Sequence, residues 1–301
     1  MRNIVQTTHK LKTNAIHLIQ SQTTTFRSNL LSPNNKKSHT DKIRLQLPAR
    51  SNPTHHIPTP EEFVTHEKQE YLLKQNDYSI HLVNSLKQRL DTSTLIRRMY
   101  TSRGYHTENT TLLSYDPNQV TFEASNSQTL FGTLTLAVDS NKGLLADKLY
   151  KREIDMLRAK GKKVCELSKL AINPLHSSKR LLAFLFNLAY ISGRIINKAT
   201  DFVIEINPRH AGYYKRILGF HQIGEKRICQ RVNAPAVLLH LKLDYVEAQI
   251  ACLAGSREPQ QKSLYAHFLT EHEERRIANR MKSRLIEQQF YNQSQATAAC
   301  N

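Results

Sequence analysis

The chain has 301 residues, 39% of them hydrophobic, with 43 Lys and Arg against 25 Asp and Glu; this formal charge of +18 favours acidic partners, and the low apolar content predicts a segment outside any core. Four separated cysteines, Cys165, Cys229, Cys252 and Cys300, form no CxxC, which argues against a disulfide framework or zinc ribbon and fits a reducing cytoplasm. The longest nearly apolar run, Leu181 to Ile191, is too short to cross a bilayer, and no apolar stretch follows Arg2 before Gln20, so the expectation is a soluble cytoplasmic protein without a signal peptide.

Residues 1–60 hold nine Lys/Arg and a single acid, Asp41, among many Ser, Thr and Asn. Such a composition cannot offset chain entropy by burial, and a disordered basic tail is expected. Residues 61–301 retain +10 of the charge, so the folded part is basic in its own right. Prolines between Pro53 and Pro60 end the tail, and residues 61–77 read as a linker or short helix.

From residue 78 the periodicity alternates between strand and helix. Strands are expected at Tyr78–Val83, Val120–Ala124 and Leu130–Ala137, with helices at Leu86–Tyr100 and Leu144–Ala159. A βαβ unit follows: strand Val164–Ile172, helix Lys179–Ile196 capped by Ser177 or Ser178, and strand Asp201–Ile206. Pro208 and Gly219 bracket a short helix over Arg209–Leu218 by the proline-start, glycine-stop asymmetry. Strands Phe220–Ile223 and Ala236–Leu243 complete the domain, and helices at Tyr245–Leu253 and about Gln261–Phe290 form a helical C-terminal extension over 244–301.

The fourteen histidines show no HExxH or other ligand spacing, and no GxSxG, P-loop or GxGxxG is present, so no metal site and none of those enzyme classes is expected. Glu166 stands out because it is an acid inside an apolar strand, on the face shared with Ser168 and opposite Lys169. Two readings stand for it: a desolvated carboxyl of raised pKa that takes a proton from an ammonium, or a carboxylate satisfied by a nearby Arg. Lys179 and Arg180 open a helix whose N-terminus favours a phosphate, or they are ordinary first-turn charges. Tyr213 and Tyr214 either include a general acid for a leaving thiolate or simply pack.

Several stretches, taken together, resemble one family. They are Leu95 to Tyr105 (LIRRMYTSRGY), Gly132 to Leu136 with Asp139-Ser140, Gly143 to Tyr150 (GLLADKLY), Leu157 to Gly161, Glu166 to Pro174 (ELSKLAINP), Asn207 to Phe220 (NPRHAGYYKRILGF) and Arg231 to Ala236 (RVNAPA). In this order and spacing, over residues 78–243, they resemble the N-acyl amino acid synthases of the FeeM type, acyltransferases of the GNAT fold similar to acyl-homoserine lactone synthases.

The resemblance implies an α/β (α+β) domain with a central mixed, splayed sheet flanked by helices, transferring a long acyl chain from acyl carrier protein to the α-amine of an amino acid by direct attack on the thioester. Glu166 and Lys169 are the implied catalytic residues; Arg97, Arg98, Arg103, Asn207, Arg209, Tyr213 and Asn233 are implied for the amino acid. Leu170, Ala171 and Ile172 are expected to pair with the pantetheine amides, while Lys179 and Arg180 meet its phosphate and the acidic carrier. Lys169 stands where the family usually has Arg in Glu-x-x-Arg, and a lysine cannot reproduce a planar bidentate fork. The segment from Asn173 to Arg180 lacks the glycine-rich pyrophosphate loop of CoA-dependent relatives, which favours acyl carrier protein over acyl-CoA as donor, with no bound cofactor. An acyl-homoserine lactone synthase-like or exosortase-associated role is also compatible. A nucleic-acid binder, with only 7% aromatics and no tryptophan, fits less well; weak membrane-surface contact and a degenerate scaffold are the remaining alternatives.

Overall fold

The computed structural model describes residues 71–107, 116–256 and 263–298, with side chains described through residue 288. The readings of residues 1–60 as tail and 61–70 as part of a linker lie outside the described residues.

The strands are β1 (Leu73–Lys74), β2 (Ser79–Leu82), β3 (Gln119–Ser125), β4 (Leu130–Val138), β5 (Val164–Ile172), β6 (Asp201–Ile206), β7 (His221–Gln222), β8 (Arg227–Cys229) and β9 (Ala234–Lys242). They form one mixed sheet in the order β1-β2-β3-β4-β5-β6-β9-β7, with β8 paired to β9. Every adjacent pairing is antiparallel except β5 with β6. That parallel pair covers only Val164–Leu167 against Asp201–Ile204. Beyond it Ala171 and Ile172 pair only with β4, while Glu205 and Ile206 pair only with β9, so the two central strands part.

The helices are α1 (Leu86–Thr101), α2 (Asp147–Ala159), α3 (Lys179–Tyr190, continued by a π turn through Ile196), α4 (Pro208–Leu218), α5 (Leu243–Leu253) and α6 (Glu271–Ala298). Ser85 caps α1 in a capping box with Gln88, and the Ser178 hydroxyl accepts from the Leu181 N–H at 3.1 Å to cap α3. Asn207 caps α4 ahead of Pro208, and Gly219 ends it at φ 78°, where a Cβ would collide with the Tyr245 ring.

Strand alternation sorts the sheet into two faces. Leu134, Leu136, Cys165, Leu167, Phe202, Ile204, Leu239 and Leu241 are buried in the main core with Leu181, Leu185 and Leu188 of α3. The C-terminal segment completes this layer through Val246, Ile250, Tyr265, Phe268, Ile277 and Met281. Asn187 of α3 ties it down, donating to Glu274 at 2.6 Å and accepting from the Leu269 N–H at 3.0 Å. On the other face α2 buries Tyr150 and Ile154 against Ala137, Val164, Val203 and Leu238, and α1 packs Leu95, Ile96 and Met99 on Ala171.

Four details depart from the sequence reading. Residues 71–76 contain β1 rather than helix, because Leu73 and Lys74 complete an edge beside β2. Helix α2 starts at Asp147, not Leu144, because the Leu144 N–H is taken by the Asp147 carboxylate at 2.6 Å and the Ala146 N–H by Glu166 at 3.0 Å. The helix read as Lys179–Ile196 widens into a π turn at Ile191, where Gly193 lets it close on Phe202: a Cβ there would lie 2.7 Å from the ring. Finally, β8 has no apolar alternation of its own, and its pairing with β9 supplies the order.

Candidate active site

The face carrying α1 and α2 is also the face on which the strands bury acids, among them Glu123, Glu166 and Asp201. Glu166, between Val164 and Ala171 on β5, is 1% exposed. Its Oε2 accepts the Ala146 N–H, so the carboxylate also fixes the entry to α2. Burial pushes its pKa up to about 7, against the pull of the Ala146 N–H and Arg231, and with the push of Glu205.

The segment that presents Ala146 is itself braced. Arg158 of α2 binds the Asp139 carboxylate with two bonds, at 2.7 and 2.8 Å, and also reaches Asp147 and Asp155. Gly143, at φ 73°, packs so closely that a Cβ would lie 2.8 Å from Asp147 Oδ2. The Asp139, Gly143 and Arg158 stretches thus have a local purpose: they hold the loop that feeds Glu166.

Where β5 and β6 part, the Glu205 side chain, 7% exposed, lies on the same face, because it is two residues beyond Val203, the β6 partner of Glu166. Its Oε1 accepts from Arg231 at 2.8 Å, whereas Oε2 is buried without an N–H or O–H donor. Tyr100, at the end of α1, is pushed up to about 12 by burial, with Arg231 pulling the other way and Tyr105 and Glu205 adding to the push. The Cys229 thiol is also pushed up, first by burial and then by its neighbour Glu205. A guanidinium, two carboxyls and a phenol therefore share one electrostatic environment at the mouth of the strand opening.

Lys169 interrupts the alternation of β5. With φ 53° it lies in a bulge: Ser168 pairs with Thr135 and Ala171 with Thr133, leaving Lys169 and Leu170 opposite Leu134 alone. The extra residue breaks the two-residue period, and the Lys169 ammonium lies in the fields of Glu166 and Arg231. Burial lowers its pKa and Glu166 opposes that shift; no ion pair within 4 Å joins the two among the described residues.

The remaining predicted site residues divide. Leu170, Ala171 and Ile172 line the open edge of β5. Arg103 is exposed just past α1, where its charge acts on Tyr100, Tyr214 and His210. Arg209 donates to the Tyr105 hydroxyl at 2.9 Å with its guanidinium 5.4 Å from that ring, joining α4 to the end of α1. Tyr213 is half-buried against Tyr214, and burial raises its pKa. Asn207 uses its side chain to accept the Arg209 N–H, and Asn233 is an exposed left-handed residue in the β8–β9 turn. Arg97 and Arg98 are exposed on α1, and Lys179 and Arg180 are exposed in the first turn of α3, Arg180 lying over Phe184 at 5.6 Å.

Arg231, Glu205 and Tyr100 were not singled out from the sequence. The signal for Glu205 is the one that marked Glu166, an acid in an otherwise apolar strand (DFVIEI), while Arg231 opens the quoted stretch RVNAPA.

Sequence and structure comparisons relate the chain to known proteins. A family model described as N-acyl amino acid synthase FeeM matches residues 91–242, half of the chain. The chain belongs to the FeeM family. A solved structure of FeeM, an N-acyl amino acid synthase from uncultured soil microbes, is 26% identical with a TM-score of 0.51, covering 56% of this chain and 92% of that one. An aminoglycoside N(6')-acetyltransferase from Legionella pneumophila is 15% identical at a TM-score of 0.39, covering 56% and 95% of the two chains. The AHL synthase LasI is 15% identical at 0.40, covering 55% and 90%. No curated protein matches. This FeeM-family chain is an acyltransferase with the GNAT fold, and N-acyl transfer is its reaction class. Among the described residues no helix is long and apolar enough to cross a membrane.

Proposed function

We propose that the protein is an N-acyl amino acid synthase that moves a long acyl chain from acyl carrier protein to the α-amine of an amino acid. The observation that carries this reading is the buried Glu166 carboxyl, with its pKa near 7, beside the parted ends of β5 and β6. The amino acid arrives as an ammonium, which cannot attack. Ionised Glu166 takes one proton, the freed nitrogen pair adds to the thioester carbonyl, and the C–N bond forms as the C–S bond breaks. The second nitrogen proton passes to solvent as the amide forms, and the departing thiolate takes the proton of the neutral Tyr213 phenol, which solvent then restores. No acyl-enzyme is required.

The opened β5 edge at Leu170–Ile172 offers backbone groups to the amides of a pantetheine arm. Lys179 and Arg180, at the N-terminus of α3, suit its phosphate and an acidic carrier. Lys169, its ammonium disfavoured by burial, stands close enough in field to tune Glu166.

Mass spectrometry of lipid extracts from cells making the full chain tests this directly. A new N-acyl amino acid is expected with the unsubstituted protein and not with Glu166→Gln, whose amide oxygen still accepts the Ala146 N–H. Unimpaired product from Glu166→Gln, or acyl-CoA serving as well as a carrier-linked thioester in the purified reaction, overturns the base or the donor assignment respectively.

A further inference from the structure

Glu166 accounts for one proton, but an α-amino acid brings a carboxylate as well as an ammonium. That second group must be paid in hydrogen bonds if it enters a buried site. A guanidinium whose charge acts on Glu166 is that of Arg231, which enters from the β8–β9 turn and is fixed by one bond to Glu205 at 2.8 Å. The Glu205 side chain is 7% exposed, the weak Cys229 thiol donor lies against its carboxylate, and its Oε2 is buried without an N–H or O–H donor. A buried carboxylate oxygen without such a donor is costly unless one arrives. Both groups act on Tyr100 from α1, so the pair is walled by the end of that helix. The β8–β9 turn is tied to the same segment by the His106 N–H to the Val232 carbonyl at 3.1 Å.

Resting on the function proposed above, we propose that Arg231 and Glu205 form the head-group clamp for the acceptor. The Arg231 N–H groups not used by Glu205 receive the substrate α-carboxylate, and Glu205 Oε2 accepts from the α-ammonium while Glu166 takes its proton. One cation between two acids suits a zwitterion: each substrate charge meets its opposite, and the planar fork of arginine suits a carboxylate. Arg231 thereby supplies, from the β8–β9 turn, the guanidinium that Lys169 lacks. The clamp makes the acceptor class specific: an α-amino acid is taken, and the same molecule without its carboxylate charge is refused.

The test uses the purified full chain, a long-chain acyl thioester on carrier protein, and the twenty common amino acids offered one at a time. The best acceptor is then compared with its own α-carboxamide. The unsubstituted protein is expected to favour the acid at least tenfold in kcat/KM. Arg231→Gln should bring that ratio close to one, chiefly through KM for the acceptor. Glu205→Gln should also raise that KM, and Glu166→Gln should lower kcat and leave the ratio intact. Arg231→Lys keeps the charge but loses the fork, and covers the case in which the glutamine variant does not fold; an intermediate ratio is expected from it. If either Arg231 variant, folded, keeps the full preference, the clamp is wrong and the Glu166 assignment stands. If the unsubstituted protein acylates none of the twenty, the proposed function and the clamp fall together.

Discussion

The two faces of the sheet are built from the same strands and differ in what alternation sends to each. Toward α3, residues Cys165, Leu167, Phe202, Ile204, Leu239 and Leu241 lie in a continuous apolar core sealed by α3, α5 and α6. Toward α1 and α2, the intervening positions place Glu166, Asp201, Glu205 and His240 beside Val164 and Val203. His240 Nε2 meets Asp201 Oδ1 at 2.6 Å, and Glu205 meets Arg231, so buried charges on this face come with partners. One face is covered along its length and stabilises the fold. The other is covered in two pieces, leaving the place where β5 and β6 separate for chemistry.

Breaking the reactive face has the largest expected effect. Glu166→Gln should reduce kcat by about 10²- to 10⁴-fold, the usual range for a lost general base. In the unsubstituted protein the acidic limb should rise with pH and level off above about 7, because only ionised Glu166 accepts a proton. A rate–pH profile of both proteins checks this: a limb centred near pH 4.5 would mean that burial does not raise the Glu166 pKa, and a limb that persists unchanged in Glu166→Gln would remove Glu166 from that role.

Breaking the covered face should act on stability instead. Leu185, fully buried in the main core, replaced by Ala is expected to cost about 2–5 kcal/mol. Denaturant unfolding measures the loss, while kcat per folded molecule should stay within about twofold, since fold loss and site chemistry lie on opposite faces.

Glu274 sharpens the comparison, because it is a buried acid on the covered face. It is 3% exposed, bonded by Asn187, and burial pushes its pKa up to about 7. A carboxyl whose folded pKa lies above its unfolded value favours the fold when protonated, and that contribution is lost as pH rises from about 4.5 through about 7. Glu274→Gln keeps an oxygen for Asn187 and cannot ionise, so it should stabilise the protein by about 1–3 kcal/mol at pH 8 and have little effect at pH 4. Unfolding curves at the two pH values decide; equal effects at both would mean that the carboxyl is not held neutral.

The smallest effect is expected at the surface. Lys179→Glu with Arg180→Glu should raise KM for the carrier-linked donor about tenfold at low salt, with a smaller ratio at high salt. A short thioester without carrier should be used equally well by both proteins. A salt-independent defect on both donors would point to damage at the start of α3.

Much of this molecule was legible along the chain because it depends on neighbours in sequence. The βαβ block follows from apolar periodicity, the α3 cap narrowed to Ser177 or Ser178, and the start and stop of α4 from Pro208 and Gly219, whose left-handed turn is a local property. Glu166 could be singled out because an acid among Val, Leu and Ile is anomalous wherever the strand ends up. The FeeM-type stretches likewise carried the family. Tertiary structure alone decided which charges meet. Glu205 and Arg231 are 26 residues apart, on a strand and a distant turn, and they touch because β9 carries the β8–β9 turn back alongside β6. The bulge at Lys169 and Leu170 depends on how β4 and β5 register, which no local period encodes. Periodicity reports the face a residue takes; it does not report which residue from elsewhere will share that face, because that is set by strand order and by where two strands stop pairing.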